Sequence, residues 1–198
     1  MKPRLSSWLA AFLVLTLLCP QAGLADQPVD LLKAARVKAA YLYHLACLTT
    51  WPQASFTDSA DSLRICIVGD DEHDLVGLFH GAGRDLRAGQ HPLSIERLDP
   101  DLHADNRTLL GSFHVVFFTE DSRDLAFQLL SAGILDDVLT VGEIDGFCES
   151  GGMVGFEIGD DRVRIEVNRD AVRTAELQLS AEFLQHAVLV ESSGRGSD

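Results

Sequence analysis

Basic side chains are scarce in this chain of 198 residues: 16 Lys and Arg stand against 30 Asp and Glu, a formal charge of −14. A surface so acidic repels a polyphosphate backbone, which excludes nucleic acid as a partner class. The glycine patterns of nucleotide and acyl-transfer sites are missing as well. There is no GxGxxG, no GxxxxGK(S/T) and no GxSxG, so neither a phosphate cradle nor a nucleophile elbow is expected. No CxxC occurs, and no zinc site suggests itself. The seven histidines, His44, His73, His80, His91, His103, His114 and His186, are scattered. Only His73 and His80, two helical turns apart, could share a face. Carboxylates gather at Asp70, Asp71 and Asp74 and at Asp99, Asp101 and Asp105, a grouping that reads as a solvated acidic surface before it reads as a cation site. Neither catalysis nor a bound cofactor or metal is expected.

Long apolar runs are also lacking. The longest, Trp8 to Leu18, falls well short of the roughly 20 residues that cross a bilayer. It follows Lys2 and Arg4 and precedes Gly23-Leu24-Ala25, so residues 1–25 read as a secretory leader. Leu18 is too bulky to precede an acylated Cys19. The expectation is an exported, periplasmic protein whose mature chain starts near Asp26 and carries a formal charge of −16, because the leader takes two basic and no acidic residues with it. The remainder suits one domain at 26–190, with Ser- and Gly-bearing residues 191–198 as a disordered tail.

The mature chain keeps three cysteines, Cys47, Cys66 and Cys148, an odd number for a compartment that favours disulfides. They are the redox candidates. Cys66 lies in the apolar run Ile65 to Val68 and reads as buried; Cys148, in a Gly-rich loop, is the better candidate for exposure.

The sharpest pattern runs from Cys148 to Asn168. Met153, Val154, Phe156 and Ile158 form one run, and Val163, Ile165 and Val167 alternate strictly with Arg164 and Glu166. Gly159-Asp160-Asp161 stands between them as turn chemistry, which predicts a β-hairpin. Its apolar side must lie on a core and its Arg162/Arg164/Glu166 side must reach solvent or a partner. Gly151 and Gly152 open backbone angles closed to other residues, and Asn168 can cap a following helix.

Elsewhere, Asp30 can cap a helix over Leu31 to Thr49 with Ala34, Val37, Tyr41, Leu45 and Leu48 as its apolar stripe. Trp51-Pro52 closes that helix and aims the Trp51 indole into the core. Leu63 to Val68, Leu93 to Leu98, Phe113 to Phe118 and Val138 to Val141 read as strands. Helices are expected near Glu72 to His80, from Ser122 to Ala132, and from Ser180 to Leu189 as the closing element. The fold class is therefore α/β, a mostly parallel central sheet flanked by helices on both faces, with the C-terminal antiparallel hairpin added at or near an edge.

Four stretches in series carry a resemblance: Ala39-Ala40-Tyr41-Leu42-Tyr43 with Trp51-Pro52; Ile65 to Asp71; His114 to Phe118; and Gly151-Gly152-Met153 with Arg162 to Ala171. Together they resemble the YfiR-like family, in the right order over about residues 34 to 189. The resemblance implies a small periplasmic α/β protein without catalysis of its own, which holds the periplasmic domain of an inner-membrane diguanylate cyclase inactive and so acts in cyclic di-GMP signalling and biofilm regulation. It also implies sequestration by an OmpA-like outer-membrane lipoprotein. A histidine kinase is an alternative membrane partner, and a homodimer is compatible with the pattern. Family members often pair the cysteine matching Cys66 with one where this chain has Phe113, and a cysteine matching Cys148 pairs with one where it has Gly155. Both partners are absent, so any disulfide here needs an arrangement of its own. Arg162, Arg164 and Glu166 are the candidate partner-binding residues; Trp51, Pro52, Gly151 and Gly152 are structural. The competing class is a periplasmic small-ligand or metal binder serving a transporter or sensor.

Overall fold

A computed structural model of the chain describes residues 27–58, 60–71, 74–83, 85–101, 109–158 and 163–191. Residues 1–26, which hold the expected leader, His73, His103, Asp105, the hairpin turn with Arg162, and residues 192–198 lie outside the described residues.

A long first helix, α1 (Gln27–Leu48), leads into a two-residue strand β1 (Thr49–Thr50) and then β2 (Leu63–Val68), α2 (Leu75–Gly81), β3 (Arg87–Ala88) and β4 (His91–Leu98). The middle of the chain supplies β5 (Val115–Phe118), α3 (Arg123–Ser131) and β6 (Leu139–Gly142). The hairpin strands β7 (Val154–Ile158) and β8 (Val163–Asn168) follow, then α4 (Arg169–Thr174), β9 (Gln178–Leu179), α5 (Ala181–Leu184) and β10 (Ala187–Val190). The main sheet has the order β10-β8-β7-β6-β5-β2-β4-β3, and β1 pairs with β9 in a separate ribbon. Pairs β2–β4, β2–β5, β5–β6, β6–β7 and β10–β8 are parallel; β7–β8 and β3–β4 are antiparallel.

The central strands are apolar without alternation because both faces are covered. Ile65, Ile67, Val115, Phe117, Leu139 and Val141 pack with Ala35, Leu42 and Leu45 of α1 and Leu75 and Phe79 of α2. Cys66, Val68, Val116 and Phe118 pack with Leu125, Ala126, Leu129 and Leu130 of α3 on the other side. Ser122 occupies the N-cap position of α3, but its hydroxyl donates to the Thr119 carbonyl instead of capping.

Two expectations need correction. α1 starts at Gln27, ahead of Asp30, and its buried stripe is Ala35, Lys38, Leu42, Leu45 and Ala46. The anticipated stripe is turned by about one residue, so Ala34, Val37, Tyr41 and Leu48 flank the buried face half-exposed. Second, Ser180 to Leu189 is not one helix. Ser180 caps only α5, accepting the Phe183 amide at 3.2 Å, and the chain then becomes β10, paired with β8 from Ala187↔Ile165 to Val190↔Asn168. Phe183, Leu184, Ala187 and Val188 fit a helical period, yet the hydrogen-bonding row of β8 and the β-branched Val188 and Val190 favour a strand. The hairpin is therefore one strand in from the edge, in keeping with the expected place at or near it, and β10 takes the edge position.

Candidate functional site

The face with Arg164 and Glu166 is built by the cross-strand register of the hairpin. Glu157 lies opposite Arg164 and Gly155 opposite Glu166. The Arg164 guanidinium sits 3.1 Å from Glu157 and 3.7 Å from Glu166, so its charge is shared between two carboxylates of its own hairpin. Asp145 and Glu149, from the loop before β7, line the same shallow hollow of about 190 Å³. This face is thus acidic, with one cation braced inside it. Burial, and then Glu149 beside it, push the Glu166 carboxyl above its ordinary range, while Arg164 pulls it back. Arg162, the other basic candidate, lies outside the described residues.

Beneath the hollow, Cys148 is fully buried, contrary to the expected exposure. The turn over 143–152 folds it inward: the Asn168 side chain donates to the Cys148 carbonyl at 2.9 Å, and the Met153 amide donates to the Thr140 hydroxyl at 3.1 Å. Gly151 takes the left-handed conformation (φ 102°). Gly152 is needed for a different reason, since a Cβ there would fall 2.3 Å from the Phe147 ring. Burial pushes the thiols of Cys148 and Cys66 up to about 12. Cys47 is the half-exposed thiol, and all three are free.

At the carboxyl ends of β2 and β5, Gly69 has φ 111° and a Cβ there would fall 1.8 Å from the Thr119 hydroxyl, so no larger residue fits. The carboxylates here serve the protein itself. Asp71 accepts the amides of Leu75 and Val76 at the start of α2, Asp74 accepts Gly77, and Asp121 accepts the Asp70 amide and the Thr119 hydroxyl. Arg97 donates to the Gly69 carbonyl and pairs with Asp70. Burial pushes the Asp121 carboxyl up, but the Thr119 hydroxyl, the Asp70 amide and Arg97 outweigh it and hold it below the carboxylate range. Among the described residues no three of His, Cys, Asp and Glu gather closely enough to hold a metal ion.

The opposite end of the sheet carries a groove that no motif announced. Its volume is about 510 Å³, and Cys47 and Thr49 of α1 and β1, Trp51, Pro52 and Phe56 of the following segment, and His91 of β4 line it. Trp51 is half-buried at its rim, not deep in the core; its indole donates to the Ala46 carbonyl at 3.4 Å and stands edge-on to His114 at 5.7 Å. Phe56 is sandwiched between His91 (3.7 Å) and His114 (4.5 Å), both rings nearly parallel to it. Sequence reasoning treats these histidines as isolated because the strands that bring them together are far apart in the chain.

Residues 35–188 match the model of a family described as YfiR/HmsC-like. No curated protein matches. Among solved structures, the ABC domain from Streptococcus pneumoniae, crystallised in complex with L-Trp, is similar at 10% identity and a TM-score of 0.47, over 69% of this chain and 57% of that one. A conserved domain protein from Vibrio cholerae O1 biovar El Tor is similar at 11% identity and a TM-score of 0.46, over 64% of this chain and 54% of that one. The chain therefore spans little more than half the length of either.

Proposed function

Because the chain belongs to the YfiR/HmsC-like family, we propose that it is a non-catalytic regulatory binding protein of the periplasm, which represses an inner-membrane diguanylate cyclase or another sensor through that protein's periplasmic domain and so modulates cyclic di-GMP signalling. One observation carries this reading: the family match runs from α1 into β10 and so takes in the whole sheet and its helices. Export by residues 1–25, a single domain at 26–190, and sequestration by an OmpA-like lipoprotein are parts of the same proposal.

The acidic hollow around Arg164 is the proposed docking face. Its charge calls for a basic patch on the partner, with Arg164 fixing the register. A tagged full-length chain used as bait on solubilised inner membranes should retain a diguanylate cyclase or histidine kinase. Retention should weaken as salt rises, because exposed charges contribute much of the approach. Recovery of no membrane signalling protein would refute the proposal.

A further inference from the structure

His114 stands at the head of β5 with both ring nitrogens committed. The backbone amide of Arg64 points at Nδ1 from 3.1 Å, so Nδ1 must be the unprotonated, accepting nitrogen. Nε2 lies 3.0 Å from the Ser55 carbonyl, which can only accept, so Nε2 carries the hydrogen. The ring is neutral by geometry. A proton on Nδ1 would break the Arg64 bond and set two N–H groups against each other.

This ring fastens the segment 51–58 to the sheet. Nε2–H holds Ser55, one ring face stacks on Phe56, and Trp51 contacts it edge-on. The segment is itself one wall of the Trp51 groove. The Nε2–H bond to Ser55 survives a second proton on the ring, as does the His91 Nδ1–H bond to the Asp61 carbonyl at 2.9 Å; what protonation of His114 breaks is the Arg64 bond that seats the ring, and the segment it carries, against β2.

We propose that His114 is a proton-operated latch: when its ring takes up a proton, the segment 51–58 loosens and the groove beside Trp51 opens. The groups that face the ring are Arg64 on β2, His91 on β4 and Asp61 in the connection to β2. Burial foremost, with His91 and Arg64 adding to it, holds the ring below its ordinary value of 6.5, while the Ser55 carbonyl and Asp61 act the other way. The sign follows. An unfolded chain takes the proton near pH 6.5, so the latch contributes its full stability above that pH and loses it as pH falls from there through the folded value. Opening therefore has its midpoint below 6.5.

Trp51 is the built-in reporter, since the only other tryptophan is Trp8. In the full chain carrying Trp8→Phe, acrylamide quenching of Trp51 should increase roughly twofold between pH of about 7.5 and about 5, and the increase should vanish in His114→Gln. A flat quenching constant, or the same increase in His114→Gln, would overturn the latch. Should His114→Gln not fold, the Arg64 amide in NMR spectra of the Trp8→Phe chain decides. It should lose its hydrogen-bonded shift with the same midpoint, and an amide that does not titrate overturns the proposal. The outcome is independent of whether a membrane partner is found.

Discussion

Lys38 is almost fully buried in the middle of α1, where it pairs with Glu143 at the end of β6. Removing one partner strands the other's charge in a largely dry place. Glu143→Gln should therefore cost about 3 kcal/mol, whereas Lys38→Met with Glu143→Leu together should recover most of it, as buried pairs often do when replaced by apolar groups. Denaturant melts of the two variants check this, and equal losses in both would show that the pair acts through packing instead. The same lysine explains why the α1 stripe was misplaced. A search for apolar residues at helical spacing prefers Ala34, Val37 and Tyr41 and discards the register through Ala35, Lys38 and Leu42, because nothing local reveals that Glu143, 105 residues on, will neutralise the charge. Cys148 was misjudged for a related reason. A Gly-rich loop looks exposed until Phe147 and Cys148 are seen folded under β7. Its sulfur lies 3.3 Å from where a Cβ on Gly155 would be, close to the roughly 3 Å between a sulfur and the far Cβ that an S–S bond of about 2.05 Å sets. Gly155→Cys should therefore lose two titratable thiols on oxidation and regain them with reductant. Thiol counts that do not change on oxidation would contradict that geometry.

Among the elements, those whose pattern is decided locally were legible. The buried strands β2, β5 and β6, the half-exposed β4, the hairpin and α2 and α3 follow from apolar runs, turn residues and caps that lie within the element itself. β10 was not, because Ala187-Val188-Leu189-Val190 suits a helix end or a strand equally, and only the unpaired row of β8 decides. That dependence is testable. Truncation after His186 should bare the outer edge of β8, lower the melting temperature by several degrees, as a loss of about 1–2 kcal/mol does in a domain of this size, and speed exchange of the outward amides of β8. Unchanged exchange in β8 would mean that β10 contributes nothing to the sheet. The Trp51 groove was the least legible feature of all. His91 heads β4, His114 precedes β5, and Phe56 sits between the ribbon strand and β2, so the stack exists only once the parallel order β4-β2-β5 is set.

For the whole molecule, acidity, the family match from α1 into β10 and a hairpin face crowded with carboxylates are the observations behind the proposal that the protein acts by docking. The fold could be read in outline from alternation and apolar runs, and the family from four short stretches in the right order. The proposed docking face could not, since the partners of Arg164 are set by the cross-strand register and by a loop that folds back over β7. The measurement that bears most directly on the proposed role is intracellular cyclic di-GMP in a strain lacking this gene, with and without a plasmid carrying the intact chain. Repression of a membrane cyclase predicts that the level rises on deletion and returns to the parental value on complementation. A level that is the same in parent, deletion and complemented strains would contradict it.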